Sequence, residues 1–209
     1  MASSTNVANL ALMFIGTETR LLSIDDEKDA ARTLKSVWDI ERQAVIRANS
    51  WNFATQRAAL PALSAPPPKP FTHAFQLPAL ALRLIDVFDA SGETPSSDYS
   101  LEGRTVLTRR AGPLYVRCLM DVPEIAAWDP LAAVHFAGKL ALTCGKRIAG
   151  SAFDKDLAMA RYREATGDAR TTDALENPPI EQEESAWVEA RWMGGVATTA
   201  GQPGWEFGR

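Results

Sequence analysis

Four side chains in this sequence belong to the types that most often bind metals or act as nucleophiles and bases: His73, His135, Cys118 and Cys144. A zinc site usually includes at least one pair of ligands that are close together in the sequence. No two of these residues form such a pair. We therefore predict no metal site and expect no cofactor. His135 lies among apolar neighbours, and we interpret it as a core histidine rather than as a catalytic base.

Carboxylates are concentrated in Asp25-Asp26-Glu27, a type of cluster that can bind a cation or transfer protons. Acidic residues are also favoured where a helix begins, because they accept bonds from free N–H groups there. A long helical pattern starts directly after this cluster. We therefore predict that Asp25 or Asp26 caps that helix.

The usual catalytic motifs are missing from the sequence. It contains no nucleophile elbow of the hydrolases, no phosphate-binding glycine loop and no zinc-protease motif. We therefore predict no catalytic residue and a protein that is not an enzyme.

Arg109 and Arg110 stand together in a turn between two apolar runs, followed by Ala111-Gly112. One interpretation is a solvated turn. The other is a loop that contacts phosphate groups or an acidic partner surface, because guanidinium groups pair well with both.

The C-terminal segment, residues 177–209, differs in composition from the rest of the chain. It is acidic and rich in glycine, and yet it contains several large aromatic residues. Exposed tryptophan is unfavourable in water and is a preferred residue in binding hot spots. We therefore predict that this segment binds a partner through Trp187, Trp192, Trp205 and Phe207. The alternative is that it folds back on its own domain.

The elements that would position these residues include helices with apolar residues spaced three and four apart. The first is predicted to be capped by Ser4 or Thr5 and to end at Gly16, and the second reaches Asn49. The third begins after Asp129-Pro130, a favourable cap and first residue. The fourth begins at about Ser151 and is predicted to bury Phe153, Leu157 and Ala160.

Between the second and third helices the period of the pattern changes to two. Residues 83–88, 98–103, 104–109 and 113–120 predict a small antiparallel sheet built from hairpins. The predicted fold class is mainly α with an inserted small antiparallel β-domain, that is, α+β. Residues 1–60 and 123–176 form the helical bundle, residues 71–122 form the β-domain, and residues 177–209 form an extended C-terminal tail.

Charge is distributed unevenly along the chain. Residues 1–175 carry 20 acidic and 20 basic side chains, whereas residues 176–209 carry six acidic and two basic ones. A neutral domain lacks the basic face of a sequence-reading nucleic-acid binder. No apolar run reaches the roughly 18 residues of a membrane span, and the N-terminus is unlike a signal peptide. Two cysteines do not suggest a disulfide framework, so we expect folding in a reducing cytoplasm.

Several quoted segments together resemble a known family. They are NLALMFIG, SIDDEKDAA, SWNFATQRAAL, FQLPALALRLIDVF, YSLEGRTVLT, LYVRCLMDV and WDPLAAVHFAGKLALTCGKRI. In this order they resemble the head-to-tail adaptor proteins of short-tailed bacteriophages, often called tail tubular protein A. The resemblance covers roughly residues 5–165, and its strongest element is the tryptophan-x-phenylalanine-alanine step at residues 51–54.

The resemblance implies a structural phage protein that forms a dodecameric ring with copies of itself between the portal protein ring and the tail nozzle protein. Double-stranded DNA would pass through the lumen without sequence-specific binding. The expected location is the virion, in the phage neck or tail, after assembly in the host cytoplasm. The C-terminal segment would reach the portal, and the loop of Arg109 and Arg110 would face the lumen or a partner. Trp51 and Phe53 would be structural residues of the joint between bundle and β-domain.

Two other classes of function remain open at this point. The first is a tail-associated enzyme that degrades cell wall, which would need a carboxylic acid with a raised pKa, such as Glu102. The second is a cytosolic binding module that recruits a partner through its tryptophan-rich tail.

Overall fold

A computed structural model describes residues 2–88, 91–92 and 94–176 of the chain. In this part the α-helices are α1 (Ser4–Ile15), α2 (Asp29–Ala48), α3 (Pro130–Ala149) and α4 (Lys155–Glu176). The strands are β1 (Thr55–Leu60), β2 (His73–Gln76), β3 (Ala81–Val87), β4 (Ser100–Glu102), β5 (Thr105–Thr108) and β6 (Leu114–Met120). All six strands lie between α2 and α3, which confirms the predicted α+β fold class.

The predicted cap of α1, Ser4 or Thr5, is wrong because Ser3 takes that role, whereas the end of α1 and the start of α3 are as predicted. The hydroxyl of Ser3 accepts a bond from the Asn6 N–H, and Gly16 ends α1 with a φ of 84°, which suits glycine. At α3, Oδ1 of Asp129 accepts bonds from the first two free N–H groups, at 2.8 and 3.2 Å, and Pro130 follows.

The predicted cap of α2 is wrong. The helix begins at Asp29 after Lys28, and no side chain caps it. The carboxylate of Asp26 instead accepts bonds from the N–H groups of Leu22 and Ser23, at 2.8 and 3.2 Å. Asp26 therefore stabilises the turn that precedes α2, since its oxygens are bonded to residues upstream of it.

Helix α3 lies at the centre of the helical part, in contact with α1, α2 and α4. It meets α4 and the turn that precedes α4 through small residues. Gly138 lies under the ring of Tyr162, and a Cβ added at Gly145 would overlap the ring of Phe153. The prediction that α4 buries Leu157 and Ala160 is wrong, because both are exposed. Ala158 and Ala169 are the buried residues of α4, because close approach to α3 requires short side chains.

The strands form two antiparallel sheets, with orders β1-β6-β3 and β2-β5-β4. The single hairpin-built sheet of the prediction is therefore wrong, although β4 and β5 do pair as neighbours. Two strands were not predicted, namely β1 and β2. Strand β1 lies within the residues that the prediction assigned to the helical bundle. Strand β6 has apolar residues on both faces, so it occupies the central position of its sheet between β1 and β3.

Two apolar cores lie on the two sides of the β1-β6-β3 sheet. The first joins all four helices to one face of β6 through Leu119. The second includes side chains from both sheets, among them Leu60, Phe75, Val106, Val116 and Cys118. The β1-β6-β3 sheet is therefore the layer between the helical part and the second sheet.

Candidate functional site

The predicted joint residues lie where the chain passes from α2 into β1. Trp51 is 1% exposed, and its indole Nε1 donates to the carbonyl oxygen of Val45 at 3.0 Å. This carbonyl belongs to the last turn of α2, where helix bonds run out. The backbone then forms one 3₁₀ turn at Asn52–Ala54, and the hydroxyl of Thr55 donates to the Trp51 carbonyl at 2.7 Å. Side chains of the joint itself therefore supply hydrogen bonds to the Val45 and Trp51 carbonyl oxygens.

Aromatic rings continue from this joint into the helical core. Phe53 stacks on Trp51 and on Trp128, with ring centroids 6.1 and 5.0 Å apart. Trp128 packs on Phe136 at 5.5 Å, and Phe136 meets the edge of Trp38 at 5.0 Å. Such ring pairs add about 0.5–1.5 kcal/mol each beyond the area they bury. The five rings thus connect the joint with α2 and α3.

The joint also holds the last turns of α4. The Asn52 N–H donates to the Asp173 carboxylate at 2.9 Å, and the Asn52 side chain donates to the Asp173 carbonyl at 2.8 Å. Nε of Arg170 donates to the Asn49 side chain at 2.7 Å. Burial raises the pKa of Asp173, and the bond from Asn52 offsets part of that rise. The end of α4, just before the C-terminal segment, is therefore fixed to the start of the β region.

A buried ion pair makes a second connection between helices and sheet. Arg42 of α2 is 5% exposed and donates to both carboxylate oxygens of Asp121, which directly follows β6. Gln43 donates to the same carboxylate at 2.9 Å. Arg42 also reaches the exposed Asp39 at 3.2 Å. No local sequence pattern indicates this pair, because its partners are 79 positions apart.

His135 is a buried histidine held in one tautomer. Thr166 donates its only hydroxyl proton to the Tyr162 carbonyl at 2.6 Å, so its oxygen accepts from Nδ1–H of His135 at 2.9 Å. The imidazole also stacks on the Tyr162 ring, with centroids 4.9 Å apart. Burial, followed by the charges of Arg170 and Lys139, lowers the pKa of His135 to about 4. The side chain is therefore neutral at physiological pH.

We expect this histidine to make the fold sensitive to acid. Between about pH 6.5 and pH 4 the unfolded chain binds a proton at this imidazole that the folded chain does not bind. The free energy of unfolding therefore decreases as the pH is lowered through this window, and it levels off below about pH 4. The expected loss is about 3 kcal/mol. His135→Asn removes the titration and can still donate from the Nδ1 position.

Urea unfolding of both proteins at intervals from pH 7 to pH 4 measures the effect. The free energy of unfolding of the wild type should fall more steeply than that of His135→Asn, whatever their difference at pH 7. Parallel curves would show that His135 does not contribute.

The loop of Arg109 and Arg110 lies at one end of the β2-β5-β4 sheet. Arg109 is exposed and Arg110 is half-buried. The backbone is fixed by Thr72, whose hydroxyl donates to the Arg109 carbonyl at 3.0 Å, and by Thr108, whose hydroxyl accepts from the Arg110 N–H. Within the described residues neither guanidinium has an ion-pair partner. Two cations are thus presented on a fixed turn.

The remaining reactive residues are dispersed. Glu102 is exposed at the end of β4. Cys118 and Cys144 are buried, and burial raises the pKa of each thiol to about 11, so neither is a thiolate at neutral pH. Across residues 2–88, 91–92 and 94–176, no group of three or more histidine, cysteine or acidic side chains is placed to hold a metal ion.

The predicted partner-binding residues Trp187, Trp192, Trp205 and Phe207 lie outside the described residues. In the described part, none of the helices is long and apolar enough to cross a lipid bilayer.

No protein-family model fits the chain, and no curated protein is significantly similar to it.

Proposed function

We propose that this protein is a structural subunit of a phage head-to-tail connector. Copies of it form a dodecameric ring between the portal ring and the tail nozzle, around the DNA channel. The ring acts in the virion and is assembled in the host cytoplasm. The protein performs no catalysis in this role.

The observation that carries the proposal is the resemblance over residues 5–165, above all the tryptophan-x-phenylalanine-alanine step. The α+β fold, with its strands inserted between α2 and α3, is the architecture that this resemblance implies. The step itself joins helix to sheet, with Trp51 buried and Phe53 stacked on it. These features of the fold agree with the architecture on which the proposal rests.

The charge of the domain also suits a ring that DNA must pass through. Residues 1–175 carry equal numbers of acidic and basic side chains. A dense basic lining would bind phosphates tightly and release counterions at each step, which would hold DNA in place. In this scheme Arg109 and Arg110 make a few contacts to DNA phosphates or to the next tail protein, and they read no sequence.

The tail-to-portal contact can be tested with substitutions. We expect that Trp187→Ala together with Trp192→Ala weakens binding of the full chain to a portal ring by at least about 30-fold, since even one hot-spot tryptophan contributes about 2 kcal/mol or more. Met193→Ala is the matched control, because it removes an apolar side chain from the same segment. Surface plasmon resonance on immobilised portal measures all three proteins. Equal affinities would contradict the tail-to-portal contact.

Native mass spectrometry tests the connector role itself. The protein is measured alone and after mixing with a candidate portal ring. We expect a portal complex that carries a full ring of this chain. Failure to bind any portal from a short-tailed phage, with the tail intact, would overturn the proposal and favour recruitment of a different partner. Cell-wall zymography on the same sample tests the enzyme alternative.

A further inference from the structure

Strand β1 has one paired edge and one open edge. Its six residues pair with β6 in an unbroken antiparallel register, from Thr55 opposite Leu119 to Leu60 opposite Leu114. Within residues 2–88, 91–92 and 94–176, the backbone groups of residues 56–60 bond to nothing beyond β6. Gln56, Arg57 and Ala59 are exposed. An open, regular edge of this length is a template for another strand.

The opposite edge of the same sheet is protected. Strand β3 pairs irregularly with β6, with register shifts at two places. Arg104 donates to the Ala81 carbonyl at 3.1 Å, and Arg47 donates to the Leu82 carbonyl. The Ser96 N–H donates to the Val87 carbonyl at the other end, at 2.7 Å. Irregular pairing and occupied carbonyls are known ways to block an edge. Of the two edges of this sheet, the open one is therefore that of β1.

Within the described residues, the open edge also carries a cation that no carboxylate neutralises. Arg57 stands directly opposite Arg117 of β6, a like-charge pair that is unfavourable across strands. Asp86 neutralises Arg117, with Nε to Oδ2 at 2.7 Å, but no carboxylate in the described part of the chain pairs with Arg57. The Arg57 guanidinium instead lies over the Phe88 ring at 4.9 Å. A carboxylate arriving beside β1 would balance this charge.

A small apolar depression lies beside Arg57 on the same face. Its volume is about 240 Å³, and its walls include Ala59, Phe88 and Tyr115. This is below the roughly 300–1,000 Å³ of ordinary small-molecule sites and suits a single large side chain. Ala59 is too short to fill it, so a side chain opposite Ala59 on a neighbouring strand can lean across into it.

From these observations we propose that β1 is a docking edge for an extended segment of another protein, which adds as a strand and bears a large apolar residue and an acidic residue two positions apart. Residues two apart point to the same face of a strand. In an antiparallel arrangement the apolar residue lies opposite Ala59 and the following acidic residue lies opposite Arg57. Main-chain bonds supply affinity and the two side chains supply selectivity. This inference does not depend on the proposed connector role.

Synthetic strands test the docking edge on the full chain. The first peptide is fluorescein-labelled Thr-Thr-Trp-Thr-Glu-Thr-Thr, and the second has lysine in place of glutamate. We expect fluorescence anisotropy to show at least tenfold tighter binding of the glutamate peptide. Arg57→Glu should reverse this order, because the charge opposite the acidic position is inverted. Arg163→Glu, an equal charge change at an exposed site on α4, should keep the wild-type order.

Backbone pairing is tested separately from side-chain contact. Two further glutamate peptides carry N-methyl groups on alternate residues, one on the odd and one on the even positions. Only the set whose N–H groups face β1 should lose binding, because the other set points away from the sheet. Circular dichroism of each variant establishes that the fold is retained.

Three results would overturn the proposal. The first is no binding of either peptide, and the second is binding whose charge preference Arg57→Glu leaves unchanged. The third is self-association of the wild type that Arg57→Glu abolishes in analytical ultracentrifugation, since the occupant would then be a second copy of this chain.

Discussion

Replacement of Asp121 by alanine is expected to lower the free energy of unfolding by about 3–5 kcal/mol. The change leaves the Arg42 guanidinium buried at the boundary of helix and sheet without the carboxylate that its two N–H groups contact. Removal of one partner from a buried ion pair is far more costly than removal of both, because the remaining charge stays out of water, here with only the exposed Asp39 near it. Urea denaturation at pH 7, followed by circular dichroism, measures the loss.

Two further variants separate the buried pair from ordinary surface charge. Asp39→Ala removes the other carboxylate near Arg42, but its side chain is 80% exposed, and we expect a loss below about 1 kcal/mol. Arg42→Met combined with Asp121→Leu should be more stable than Asp121→Ala alone, because no charge is then left buried. If Asp39→Ala and Asp121→Ala were equally destabilised, the buried pair would have no special role.

Trp51→Ala is expected to cost about 3–5 kcal/mol, the usual range for deletion of a buried large aromatic side chain. The substitution removes the packing on Phe53 and leaves the Val45 carbonyl without its indole donor. It also loosens the segment that holds Asn52 on Asp173, so protection of the last turn of α4 from hydrogen exchange should fall as well.

A graded variant separates packing from hydrogen bonding at this position. Trp51→Phe retains a large ring but no N–H group, and we expect a loss of about 1 kcal/mol, because the Val45 carbonyl loses the indole bond and keeps the longer bond from the Asn49 side chain at 3.4 Å. Chemical denaturation ranks the two variants. A loss below about 1 kcal/mol for Trp51→Ala would show that the joint does not depend on this side chain.

Much of the fold could be predicted from short-range signals in the sequence. The cap at Asp129 with Pro130, the stop at Gly16 and the strands later seen as β3 to β6 all follow from short-range signals. Strand β1 was missed because its sequence, TQRAAL, has few β-branched or aromatic residues. Its conformation comes from pairing with β6, and sheet pairing often outweighs intrinsic preference.

The candidate sites were harder to predict, since they depend on long-range partners. Arg42 interrupts an apolar stripe, and nothing near it in sequence indicates that Asp121 neutralises it. The interface of α3 and α4 uses glycine and alanine where the pattern favours large residues such as Leu157. By contrast, the buried character predicted for His135 is confirmed, because its apolar neighbours were already visible in the sequence.

Because the two edges of the β1-β6-β3 sheet differ, the proposed docking would add one strand to the sheet, on one side only. A sheet with two open edges can propagate without end, as fibrils do, because each added strand offers a new site. Here Arg47 and Arg104 occupy carbonyls on the β3 side, so the strand addition that we propose is confined to β1. A single incoming strand whose own far edge is blocked would end the addition, which favours a defined complex over an open polymer.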